Sequence, residues 1–184
     1  MAVEFSFLRF LQTLHTPLMD AAAVFLNYAG AHGELWIVFT AVLLLFRRTR
    51  KTGVMMALGL ILYFLICDRG IKPLVARPRP CDLDASVSIL VPRPGGWSFP
   101  SGHTASAFSA MLGLVVLATP LLYTKNKLAP YAIALCVFIA FTRLYLYVHF
   151  PTDVLAGAVF GSLIGYAAFR IANALDARRP LKTK

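Results

Sequence analysis

Residues 129–173 read APYAIALCVFIAFTRLYLYVHFPTDVLAGAVFGSLIGYAAFRIAN: two apolar runs, 129–148 and 152–173, set back to back and broken only at His149-Phe150-Pro151. Each has about the 20 residues that a helix needs to cross a hydrocarbon core of ~30 Å, so the pair predicts a membrane hairpin. Further candidate spans lie at 34–46, which is short, at 54–72 and at 102–122. Composition agrees. Of 184 residues 59% are apolar and 14% charged, with a mean hydropathy of +0.71, whereas soluble domains are roughly 45–50% apolar. The expected fold is all-α: one domain over 1–184, a polytopic membrane bundle of about six helices with an N-terminal interfacial helix.

That interfacial helix is expected over 4–14. Phe5, Leu8 and Leu11 share a face at helical spacing, but the segment is too polar to span comfortably. After Pro17, Leu18 to Ala31 is apolar yet short and interrupted by Asp20 and Asn27. It reads as a short packed membrane helix or as a continuation of the interfacial segment. Met1 to His15 lacks a basic leader before a continuous apolar core, so no cleaved signal peptide is expected.

The net charge is +10, and much of it flanks the apolar runs: Arg47, Arg48, Arg50 and Lys51; Lys125 and Lys127; Arg178, Arg179, Lys182 and Lys184. With alternating spans these tracts share one face, which the positive-inside rule makes cytoplasmic. Tracts that border membrane spans do not make a nucleic-acid surface. The opposite, outer face receives the 30–33 connection, the turn at 149–151 and the long segment 73–101. Pro73, Pro78, Pro80, Pro92, Pro94 and Pro100 forbid a continuous helix there, and loops of such length are commonly functional. Trp97, Phe99, Tyr145, Tyr147 and Phe150 read as an aromatic belt at this outer interface. Cys67 and Cys136 read as buried small hydrophobes, Cys81 lies in the loop, and no Cys/His spacing suggests zinc.

Three clusters of ionisable residues sit at the edges of apolar runs, where such groups are costly and point to function. Lys72 and Arg79 offer a point charge and a planar fork for phosphate oxygens. Read singly, each is equally an anchor snorkelling to headgroups, and Arg77 and Arg93 are read that way. Pro100-Ser101-Gly102-His103 opens the 102–122 run. Ser101 is a good N-cap, a helix N-terminus binds anions, Gly102 permits close approach, and His103 can donate a proton. The alternative is a capped helix with a satisfied histidine. Arg143, His149 and Asp153 straddle the hairpin turn. His149 and Asp153, four apart, form either a carboxylate-oriented nucleophilic imidazole or an ion pair holding two helices.

In order and spacing, Lys72-(six residues)-Arg79-Pro80, Pro100-Ser101-Gly102-His103 and Arg143-(five residues)-His149-(three residues)-Asp153 resemble the tripartite signature of the type 2 phosphatidic acid phosphatase family. The third motif usually begins Ser-Arg, and this chain has Thr142-Arg143, which keeps the hydroxyl. The resemblance implies that His149 attacks phosphorus to form a phosphohistidine, that Asp153 orients it, and that His103 protonates the leaving oxygen. Lys72, Arg79, Ser101, Gly102 and Arg143 would hold the phosphoryl oxygens. No metal and no cofactor are expected, with Asp82 and Asp84 the only carboxylates near the site in the loop and without an assigned role. The implied protein is a bacterial lipid phosphatase of the cell (inner) membrane with an outer, periplasmic site. Its favoured substrate is undecaprenyl diphosphate, with phosphatidic acid or phosphatidylglycerol phosphate as runner-up. A non-catalytic lipid-phosphate transporter or binding protein is the competing class. The sequence carries no sign of oligomeric state.

Overall fold

The computed structural model describes residues 1–30, 33–111 and 128–177, and within them the regular structure is helical. Helix α1 spans Ala2–Gln12. Helix α2, Pro17–Ala29, starts where Pro17 fixes the first turn and the Thr16 hydroxyl accepts from the Met19 amide. Helix α3, Glu34–Leu45, ends against its successor. Thr49 Oγ1 donates to the Leu43 carbonyl at 2.8 Å and Arg50 Nε to the Leu44 carbonyl at 3.2 Å, pairing carbonyls that a helix end leaves open. Helix α4, Arg50–Tyr63, continues through a π-helical stretch, Phe64–Ile71, into one α turn, Lys72–Val75. A single helical turn, Pro80–Leu83, interrupts the 73–101 loop. Helix α5 is described over 102–111. Helices α6, Leu128–Tyr145, and α7, Pro151–Ala177, form the hairpin.

Arg50–Leu83 and Pro151–Asp176 are long and apolar enough to cross a membrane, and Pro17–Ala29 with Glu34–Leu45 passes the same test as a bent pair. Among the described residues that makes two spans, or three, against about six expected. The 34–46 run yields only 12 helical residues, short of the ~20 that a crossing needs. Beyond residue 111 the expected 102–122 span lies outside the described residues. So do Lys125 and Lys127, the 178–184 tract and part of the 30–33 connection.

The 129–148 run stops being helical at Tyr145, three residues early. Tyr147 adopts φ 60, a left-handed conformation unusual for a bulky residue. Full burial and the bond from its hydroxyl to Asp84 (2.9 Å) hold it there. The expected aromatic belt is corrected at this turn. Tyr145, Tyr147 and Phe150 are 1%, 0% and 0% exposed. Tyr147 and Phe150 form one core cluster with Leu8 and Cys81, packed against Phe5. The physical reason is the N-terminal segment. Helix α1 buries Leu8 against Tyr147 and Phe150 while Val3, Phe7 and Phe10 stay exposed, and Ala23 of α2 and the stacked His15 cover Tyr145, so what would have faced the interface is covered by protein.

On the far side α5 and α7 approach closely. A Cβ on Gly157 would sit 2.8 Å from the Ser101 carbonyl and one on Gly161 would collide with the Ala105 backbone. Small residues four apart let two helix backbones meet, and here they seat the start of α5 against α7.

Candidate active site

The three motifs meet at one cavity of about 640 Å³. Lys72, Arg79, Gly102, His103, Arg143 and His149 line it, and so does Arg93, which the sequence reads as a surface anchor. Ser101 and Asp153 do not; they are wholly buried and stand outside its lining. The Ser101 amide donates to the Asp153 carbonyl at 3.0 Å, so the second and third motifs are stapled backbone to backbone.

His149 sits in the turn between α6 and α7. Arg79 Nη1 lies 3.1 Å from its Nε2. A guanidinium only donates, so Nε2 is the acceptor and Nδ1 carries the proton. Nδ1 lies 3.3 Å from Ser98 Oγ, and Ser98 Oγ donates to Asp153 Oδ2 at 2.5 Å. The direct Nδ1 to Oδ2 separation is 3.7 Å, beyond hydrogen-bond length. The carboxylate therefore reaches the imidazole through a serine hydroxyl, not directly as the four-residue spacing suggested. Burial, opposed by Asp153 and reinforced by the Arg79 and Arg143 charges, pulls the His149 imidazole down to about 4. It is neutral at neutral pH, and Arg79 Nη1 occupies its Nε2 lone pair at the cavity wall.

Arg79 is held by four carbonyls as well: Gly95, Gly96, Trp97 and Val148, at 3.1–3.3 Å. The Pro-rich loop thus wraps its carbonyls around one guanidinium and aims it at the histidine. Arg143 is 1% exposed. It donates to Asn27 Oδ1 at 2.9 Å and, from Nε and Nη2, to Thr142 Oγ1 at 3.2 and 3.0 Å. The threonine that replaces the usual serine keeps its hydroxyl in use. His103 Nε2 lies 3.3 Å from the Asn27 carbonyl. A carbonyl only accepts, so that nitrogen bears the proton. Lys72 Nζ pairs with Asp68, which also receives the Tyr63 hydroxyl at 3.4 Å. A side chain at Gly102 would meet Tyr63 Oη at 2.7 Å and Lys72 Nζ at 3.2 Å, so glycine is needed for this approach.

Four residues escaped sequence reasoning. Asp68 and Asn27 both break apolar runs and could have been found by the rule that flagged the others. Ser98 carried no signal. Arg77 was read as a surface anchor. Instead it donates to Asp153 Oδ1 at 2.6 Å and stacks 4.0 Å over the Phe150 ring. The loop carboxylates now have roles. Asp82 accepts from the Arg79 amide at 3.4 Å and lies 3.8 Å from Arg93. Asp84 accepts from Arg9, Ser86 and Tyr147. Among the described residues no group of three or more His, Cys, Asp or Glu side chains could hold a metal ion.

Comparison with known proteins agrees with this constellation. The model of the PAP2 superfamily matches residues 48–176. An undecaprenyl-diphosphatase of Sulfolobus acidocaldarius is 32% identical over 83% of this chain and 70% of its own length. A lipid A 4'-phosphatase of Bacteroides thetaiotaomicron is 28% identical over 96% and 80%. In fold, the crystal structure of a transmembrane PAP2 type phosphatidylglycerolphosphate phosphatase from Bacillus subtilis superimposes with a TM-score of 0.78. It is 24% identical and covers 97% of this chain and 88% of that one. Helices able to cross a membrane, the cation-ringed histidine and the matched family model lead to one conclusion: the chain belongs to the PAP2 superfamily and is a membrane phosphatase.

Proposed function

We propose that this protein removes a phosphate from a lipid phosphate or diphosphate, most favourably undecaprenyl diphosphate, through a phosphohistidine on His149. The observation that supports it is the unprotonated Nε2 of a buried, neutral imidazole, held by Arg79 Nη1 on a cavity that Arg79, Arg143, Lys72 and His103 also line. A substrate phosphoryl group entering this cavity exchanges places with the histidine as the partner of Arg79 Nη1. Its oxygens take up Arg79, Arg143 and Lys72. Nε2 then attacks phosphorus, the N–P bond forms, and the P–O bond to the lipid breaks. His103, which takes up a second proton as the anionic phosphoryl group binds, gives that proton to the departing oxygen and keeps the one on Nε2. The imidazolium that develops on His149 is stabilised through Nδ1–H, Ser98 and Asp153. In the second half His103 takes a proton from water, the hydroxide attacks phosphorus, and phosphate leaves with Nε2 restored. Phosphoryl transfer needs mainly positioning and charge stabilisation, and three fixed cations supply both without a metal.

The greasy part of the substrate fits the exposed Tyr28 and Phe64, which border the same cavity. A diphosphate suits a cavity lined by the four cations Lys72, Arg79, Arg93 and Arg143, and relatives named as undecaprenyl-diphosphatases support that choice. Phosphatidic acid or phosphatidylglycerol phosphate is the second reading. A transporter or binding protein would not need an unprotonated, oriented imidazole. We place the site on the outer, periplasmic side of a bacterial inner membrane, opposite the basic tract at Arg47–Lys51.

The test is phosphate release by purified protein in detergent from a panel of lipid diphosphates and monophosphates, with and without chelator. The expected result is highest kcat/KM on the prenyl diphosphate, chelator-resistant, with His149→Ala folded and inactive. Turnover in His149→Ala, or activity abolished by chelator and restored by a divalent ion, overturns the mechanism. A monophosphate preference overturns the substrate.

A further inference from the structure

Arg77 does not line the phosphate cavity. Its Nη1 donates to Asp153 Oδ1 at 2.6 Å and to Thr152 Oγ1 at 2.6 Å, and its Nη2 donates to Glu4 Oε2 at 2.9 Å. The other oxygen of Glu4 accepts from the Thr152 hydroxyl at 2.7 Å. Glu4 lies on α1, far along the chain, yet it closes this ring on the back of the active site. Asp153 Oδ2 meanwhile takes Ser98 and the Phe150 amide (2.9 Å). One guanidinium is thus shared between two carboxylates, one of which serves the histidine.

We propose that Glu4 and Arg77 are positioning residues for phosphoryl transfer: they fix Asp153 and set how much of its negative charge reaches His149. This rests on His149 being the nucleophile. Charges alternate along the line: Glu4 negative, Arg77 positive, Asp153 negative, then the imidazole. Arg77 draws part of the Asp153 field away from His149, and Glu4 draws part of the Arg77 field away from Asp153. Neutralising Glu4 therefore weakens the pull of Asp153 on a proton at His149, while neutralising Arg77 strengthens it. The signs are opposite, which a merely structural role does not produce. Other charges facing these groups stay constant in the comparison. His149 also faces Arg79 at 3.1 Å, with Arg143 and His103 in the same cavity. Glu4 also faces the N-terminal amine at 3.8 Å.

The experiment is the pH dependence of kcat/KM for wild type, Glu4→Gln, Arg77→Gln, Arg77→Lys and His149→Ala, in detergent with a short-chain lipid diphosphate. The acidic limb of kcat/KM reports the free enzyme's essential base, and ionisation of the substrate is common to all variants. Glu4→Gln is expected to move that limb down by several tenths of a unit and Arg77→Gln to move it up by about one unit. Arg77→Lys should hold the limb near wild type yet lose about tenfold in kcat, because a compact ammonium lacks the spread planar fork that holds Glu4, Thr152 and Asp153 in fixed positions. Limbs that do not move, or that move in the same direction, overturn the proposal. If Arg77→Gln does not fold, the presence or absence of the downward shift in Glu4→Gln decides. Activity surviving in His149→Ala instead brings down the nucleophile assignment, a result separate from the relay's own.

Discussion

Between His149 Nδ1 and Asp153 Oδ2, 3.7 Å apart, the Ser98 hydroxyl accepts from the ring and donates to the carboxylate. It fixes the tautomer that leaves Nε2 unprotonated. Ser98→Ala removes a bond to a charged group, worth about 1.5–3 kcal/mol, without changing any group that meets the phosphate. The expected outcome is a fall in kcat of about ten- to a hundredfold with little change in KM, measured by phosphate release. An unchanged kcat would mean that Asp153 acts on the imidazole directly. At this scale the sequence announced both ends of the relay and not its middle. His149 and Asp153 stood out because ionisable groups at a membrane edge are costly. A serine in a Pro-rich loop costs nothing there and draws no notice. Arg77 was misread for the same reason: an arginine beside a span normally snorkels, and only its three-dimensional neighbours reveal a carboxylate at 2.6 Å. Asp68 and Asn27, polar breaks in apolar runs, were legible by the rule already in use.

At the scale of elements, α1 has the amphipathic periodicity that the sequence shows, and its neighbours explain how that face is used. Its amphipathic face is present, but that face is spent on Tyr147, Phe150 and Cys81 as well as on any interface. Its ionic contacts follow: Glu4 to Arg77, and Arg9 to Asp84 at 2.8 Å. Asp84 also holds Tyr147 in its left-handed turn. Hydrogen bonds from Ser86, Arg9 and Tyr147 hold the Asp84 carboxyl well below the usual carboxylate range. A folded-state pKa below the unfolded value of ~3.9 stabilises at higher pH and loses that contribution as pH falls through the carboxylate range. Asp84→Asn should therefore melt below wild type at pH 6. The gap should close as the buffer is taken below about pH 4, where the wild-type carboxylate loses its advantage. Thermal melts of both proteins across that range check it, and a gap that is constant with pH would show that the charge of Asp84 is not what holds the turn. Helix boundaries were harder to read than helix existence. The 129–148 run is apolar throughout, so hydropathy carried no mark of the stop at Tyr145. That stop comes from the turn's own tertiary contacts.

For the whole molecule, every cation that faces the cavity is on the side of the 73–101 loop, while Arg47, Arg48, Arg50 and Lys51 lie at the α3–α4 connection. Charge bias and motif position, read separately from the sequence, are the grounds on which we propose that these two ends face opposite compartments. What composition could not give was the convergence itself: residues from α2, α4 and its continuation, the 73–101 loop, α5, α6 and the α6–α7 turn surround one space, and periodicity within a run says nothing about which runs adjoin. Sidedness is directly measurable in this chain, because its three cysteines are buried and give a low background to thiol labelling. Ser88 and Arg48 are both exposed, one in the 73–101 loop and one in the basic tract. With a membrane-impermeant maleimide on spheroplasts, Ser88→Cys should label at once and Arg48→Cys only after lysis. The reverse pattern would put the cavity in the cytoplasm, and equal labelling of both would place the two ends in one compartment. A lipid diphosphate made available at the outer leaflet reaches the cavity only under the first result, so the labelling pattern also decides which pool of substrate the imidazole can attack.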